Sequence, residues 1–60
     1  MNYIIESYWF RNNIYVSVIH EGKVVFDYKV ESKDFVDNLV DELRDLVKHF
    51  DGEPAIVNNL

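Results

Sequence analysis

Between Phe35 and Phe50 the apolar residues return with the period of an α-helix, and this segment limits what the rest of the chain can build. At 100° per residue, Phe35, Val36, Leu39, Val40, Leu43, Leu46, Val47 and Phe50 fall within one arc of roughly 140°, and no charged residue enters it. Ser32 is a good N-cap, Asp34 places an anion in the first turn, and Lys48 and His49 place cations in the last. Gly52 after Asp51 predicts the stop, and Pro54 prevents resumption. Val and Asp recur through the helix and are weak helix formers, so packing must hold it. In a chain of 60 residues, the N-terminal half has to supply the covering surface.

That half reads as strands. Residues 2–10 are dense in aromatic and β-branched types and predict a first strand, followed by a turn at Arg11-Asn12-Asn13. Ile14 to His20 predicts a second, with Ile14, Val16 and Val18 toward the core and Tyr15, Ser17 and Ile19 outward. Glu21-Gly22-Lys23 predicts the next turn, with Gly22 supplying a positive φ. Val24 to Val30 predicts a third strand that buries Val24, Phe26, Tyr28 and Val30 and turns Val25, Asp27 and Lys29 outward. Ala55 to Leu60 is apolar enough for a short fourth strand and equally for a tail. The expectation is one α+β domain over residues 1–60, a three-stranded antiparallel sheet in β-β-β-α order packed by one amphipathic helix, with the short C-terminal strand left open.

This order of elements is similar in outline to the opening of the ribonuclease H-like fold. The metal-binding carboxylates of that family begin with an Asp in the first strand, whereas the acids in the strands here are Glu6 and Asp27, and residues 55–60 contain no Asp. The resemblance is one of element order and carries no activity with it.

Charge divides the chain in two. Residues 1–30 balance Glu6, Glu21 and Asp27 against Arg11, Lys23 and Lys29, so the net charge of −5 belongs to residues 31–60. That balance argues against direct binding of a phosphate backbone, which needs Lys and Arg to displace counterions. The absence of cysteine removes disulfides, thiolate catalysis and zinc-thiolate sites. Apolar runs are far shorter than the roughly 20 residues of a membrane helix, and the N-terminus lacks the basic region of a signal peptide. A cytoplasmic protein without membrane attachment is expected.

Two surfaces stand out as candidate sites for binding protein. Asp34, Asp37, Asp41 and Asp45 form a stripe opposite the apolar arc, with Glu42 beside it and Arg44 and Lys48 placed to pair with Asp41 and Asp45. The like-charged i, i+4 pairs Asp37–Asp41 and Asp41–Asp45 are mildly destabilising, which sets the stripe apart from a face chosen for stability alone. The second surface is aromatic: Tyr3, Ile5 and Trp9 share one parity of the first strand, Ile4, Tyr8 and Phe10 the other, and neither is polar. Tyr3, Trp9 and Tyr15 are the residues expected at an interface there.

No catalytic, metal or cofactor site is expected. His20 lies beside a turn, His49 pairs only with Asp45, and Ser7, Ser17 and Ser32 lack the surroundings of a nucleophile. Lone Gly22 and Gly52 build no phosphate cradle. The sequence therefore predicts a small acidic protein-binding module, accessory or inhibitory, that meets a basic partner surface through its helix face. The alternatives are a homodimeric structural module joined through the sheet, and an inhibitor that mimics nucleic acid before a DNA- or RNA-binding protein.

Overall fold

A computed structural model describes residues 2–60, with Met1 outside the described residues. β1 (Asn2–Phe10), β2 (Asn13–His20) and β3 (Lys23–Val30) form an antiparallel meander, then a 3-10 turn (Lys33–Phe35) leads into α1 (Val36–His49) and on to β4 (Glu53–Asn59). The sheet order is β3-β2-β1-β4, and β4 lies parallel to β1 along its whole length, from Asn2↔Glu53 to Tyr8↔Asn59. The fourth strand is therefore a full member of a mixed four-stranded sheet, and the expectation of three antiparallel strands with a short appendage is corrected. The reason is geometric. Val30 at the end of β3 lies level with Trp9 near the end of β1, and α1 carries the chain back along the sheet at about 1.5 Å per residue, so that β4 enters beside Asn2 and runs parallel to β1. Among the described residues no helix is long and apolar enough to cross a membrane.

Both hairpins are tighter than the sequence predicts. Phe10 pairs with Asn13 across a two-residue loop in which Arg11 (φ 49°) and Asn12 (φ 65°) are left-handed, and His20 pairs with Lys23 across Glu21 (φ 54°) and Gly22 (φ 76°). Positive φ at both central residues is the pattern of a type I′ turn, whose twist matches that of the strands it joins. Asn13 and Lys23, expected in the loops, open the next strands. A bulge then interrupts β2–β3: Val18 pairs with Phe26 but Ile19 pairs with Val24. The extra residue, Val25, reverses the parity, so Val24 faces away from the helix at 59% exposure instead of joining the core.

The core is a single layer between helix and sheet. Tyr3 and Ile5 of β1, Ile14, Val16 and Val18 of β2 and Val30 of β3 meet Val36, Val40, Leu43 and Val47 of α1. These four helix positions are spaced 4, 3 and 4 apart and fill one half of the predicted arc, with Phe35, Leu39, Leu46 and Phe50 in the other half. The arc is wider than the sheet beneath it. Leu39 and Leu46 are only partly buried, and Phe35 and Phe50 are exposed. α1 packs against β1, β2 and β4, which leaves Tyr28 of β3 exposed and Phe26 half-covered.

Ser32 caps as expected, its Oγ accepting from the Asp34 amide at 3.2 Å, although what it caps is the 3-10 turn ahead of α1. The helix ends in a Schellman motif: the Gly52 amide donates to Val47 O and the Asp51 amide to Lys48 O, at 3.0 and 3.1 Å. The left-handed residue is Asp51 (φ 56°), not Gly52. Gly52 is needed for space: it is buried, and a Cβ there would stand 2.6 Å from Tyr3 Cδ1 and 2.7 Å from Val47 Cγ1.

Candidate functional site

One face of the sheet is covered by α1, and the other has no layer over it. Cross-strand partners share a face, so the pairing places Ile4, Glu6, Tyr8 and Phe10 of β1, Tyr15, Ser17 and Ile19 of β2, Asp27 and Lys29 of β3, and Ala55 and Val57 of β4 on this open side. Ile4, Phe10, Val24 and Val57 are exposed there, and Tyr8, Tyr15 and Ile19 half-buried. A large apolar and aromatic surface open to water is the kind that marks an interaction site.

The face has an internal order set by register. Ile4, Ile19 and Val24 gather toward the Glu21-Gly22 turn, and Tyr8, Tyr15 and Phe10 toward the Arg11-Asn12 turn. Between them runs a polar row, Glu6↔Ser17↔Asp27. Ser17 is only 1% exposed. Its Oγ donates to Asp27 Oδ1 at 2.8 Å, so its proton is committed and the Tyr8 hydroxyl donates to Ser17 Oγ, at 2.9 Å. On the other flank Asn59 Nδ2 donates to Glu6 Oε2 at 2.8 Å, tying β4 to β1. Glu6 and Asp27 thus sit within the aromatic face, held in position by neutral donors.

The residues expected at an aromatic interface do not lie together. Tyr3 is buried under α1, its ring stacked on His20 at 4.1 Å. Trp9 is 52% exposed but shares the parity of Tyr3 and Ile5, so it sits on the helix side at the rim. Only Tyr15 belongs to the open face, where it stacks on Tyr8 at 5.9 Å and meets Phe10 edge-on at 6.2 Å. Tyr8 and Phe10, read as the other parity of the aromatic strand, and Ser17 and Asp27, read as outward, were not among the residues singled out for the interface. A two-residue first turn would have placed Tyr8 opposite Tyr15 from sequence alone, whereas bringing Asp27 opposite Ser17 depends on the bulge.

The acidic stripe forms on α1. Asp34, Asp37, Asp41, Glu42 and Asp45 are all exposed, and Arg44 Nη2 reaches Asp41 Oδ1 at 3.6 Å. Among the described residues the expected Asp45–Lys48 pair is not within ion-pair distance. A shallow depression lined by Lys33, Asp34, Val36, Asp37, Asn58 and Leu60 places the first two aspartates of the stripe beside the C-terminal end of the chain. The stripe and the open face point away from each other across the 15 Å short axis of the molecule, so no flat partner can touch both.

His20 is a rim residue, half-buried beside the second turn, and its Nδ1 lies 3.1 Å from Asn2 O, an acceptor, so this nitrogen carries the proton. Among the described residues no three of His, Asp and Glu gather as metal ligands. Comparison with protein-family models, with curated protein sequences and with solved structures finds no match for this chain.

Proposed function

We propose that this chain is a small acidic protein-binding module, accessory or inhibitory in role, that docks a basic partner protein through the open face of its sheet. The supporting observation is the pair of fixed carboxylates, Glu6 and Asp27, within an exposed face of aromatic and aliphatic side chains. The longer dimensions of the molecule, 32 and 22 Å, bound the outline of that face at about 700 Å², which leaves it at or below the roughly 800 Å² that each partner contributes to a stable interface. The helix stripe takes the secondary role of attracting the same basic partner from a distance, which raises the encounter rate without contact.

The second reading is a homodimer through the same face, which the area allows equally. Charge separates the two. A two-fold contact would bury Glu6 and Asp27 of both copies near its centre, where interfaces are depleted of charge, with only Lys29 of each copy on the face to offset them. A basic partner supplies the compensating cations.

The test is capture of partner protein from the source cells by the tagged chain and by two variants. Ile4→Lys with Val57→Lys should abolish capture. Asp37→Asn, Asp41→Asn and Asp45→Asn together should weaken it and flatten its salt dependence. Capture that survives the first variant and is lost in the second would return the interface to the helix. Sedimentation velocity at micromolar concentration should show a monomer, and a stable dimer abolished by the Lys variant would establish the second reading instead.

A further inference from the structure

At the Arg11-Asn12 end of the open face, Tyr8, Phe10, Tyr15 and Asp27 line a cleft of about 290 Å³. Small-molecule pockets run from roughly 300 to 1,000 Å³, so this cleft is on the scale of a single inserted side chain. Its walls are specific. Tyr8 and Tyr15 stand 5.9 Å apart and within 20° of parallel, Phe10 closes one side at 67° to Tyr15, and Asp27 closes the other. Ring faces carry negative charge density and the carboxylate a full negative charge, so a cation resting on a ring face beside Asp27 is favoured.

The carboxylate is prepared for that cation. Ser17 Oγ fixes Asp27 through Oδ1 and is itself held by the Tyr8 hydroxyl. Asp27 is exposed and, among the described residues, makes no ion pair, although Lys29 lies two residues along the strand. The chain already shows the chemistry next door: the Arg11 guanidinium lies 5.2 Å from the centre of the Phe10 ring.

We infer that the Tyr8, Phe10, Tyr15 and Asp27 cleft is an anchor pocket for an arginine side chain of the partner protein. Arginine fits better than lysine because its planar guanidinium stacks on a tyrosine face while two parallel N–H groups meet one carboxylate. This inference rests on the proposed use of the open face, and it deepens that reading by naming the contact that orients the partner.

The test is an amide NMR titration of the isotope-labelled full chain with N-acetyl-argininamide at low salt, with the lysine and the neutral citrulline analogues as comparison arms. Saturable shifts should appear at residues 8–10, 15–17 and 27, weaker with lysine and absent with citrulline. Asp27→Asn keeps an acceptor for Ser17, and its amide spectrum should show an intact fold with binding weakened about fivefold or more. Shifts centred on Asp37, Asp41 and Asp45, equal shifts with citrulline, or an unchanged affinity in Asp27→Asn would each overturn the pocket. If the arginine probe fails while Ile4→Lys with Val57→Lys still abolishes partner capture, the pocket is wrong and the docking face stands. If the probe binds and capture is indifferent to that variant, the pocket stands and the docking face is wrong.

Discussion

Replacing Gly52 by Ala tests whether the junction between helix and fourth strand is as closely packed as the geometry indicates. The new methyl would stand 2.6 and 2.7 Å from Tyr3 Cδ1 and Cε1 and 2.7 Å from Val47 Cγ1. Neither neighbour has room to withdraw, since Val47 is 1% exposed and Tyr3 is pinned between the helix and His20. Overpacking of this kind costs about 1–3 kcal/mol, and the loss of glycine freedom in the unfolded chain returns about 0.4–1 kcal/mol. The net loss is about 1–2 kcal/mol, which for a domain of this size lowers Tm by about 5–15 °C. Far-ultraviolet circular dichroism during heating, and urea titration at fixed temperature, measure it directly. Asp51→Gly is the matched control. It relieves a left-handed non-glycine residue (φ 56°) with no new contact and should raise stability by about 0.5 kcal/mol. A Gly52→Ala variant as stable as the parent, or an Asp51→Gly variant clearly less stable, would refute the assignment of Asp51 as the conformational stop and Gly52 as the steric one.

Leu43→Ala removes a side chain at the centre of the core and should cost about 2–5 kcal/mol, enough to leave a chain this small largely unfolded in urea titration. Phe35→Ala and Phe50→Ala, equally apolar in the helical pattern but exposed in the half of the arc that the sheet does not cover, should each cost under about 1 kcal/mol in the same assay. Ser17→Ala breaks both bonds of the Tyr8–Ser17–Asp27 chain and should destabilise by about 1 kcal/mol, because Tyr8 and Asp27 still reach water. Asp41→Asn alone removes both like-charged i, i+4 pairs while leaving Asp37 in the first turn, and should raise stability at low salt by a few tenths of a kcal/mol, less the Arg44–Asp41 contact, with the gain vanishing in high salt.

Several features were legible because they are local. The helix, its cap at Ser32 and its end before Gly52 each follow from neighbouring residues, and so does the alternation that buries Ile14, Val16 and Val18. The open face was harder to read for one physical reason, register. Arg11 and Glu21 adopt positive φ in the two turns, a conformation that neither side chain advertises, so each turn reads one residue too long. A slip of one residue exchanges the two faces of a strand. The bulge at Val25 then shifts β3 again, which brings Asp27 beside Ser17 and sends Val24 outward.

By itself the sequence determined that this chain would fold as an amphipathic helix on a meander of strands, with its excess negative charge on the solvent side of that helix. Periodicity and composition suffice for that, because each depends on residues within a few positions of one another. Only the tertiary structure decided that Glu53–Asn59 pairs along β1, that Tyr3 and Trp9 part company with Tyr15, and that Asp27 meets Tyr8. Those outcomes depend on contacts between residues far apart in the chain, and on the helix returning the chain to the free edge of β1 rather than that of β3.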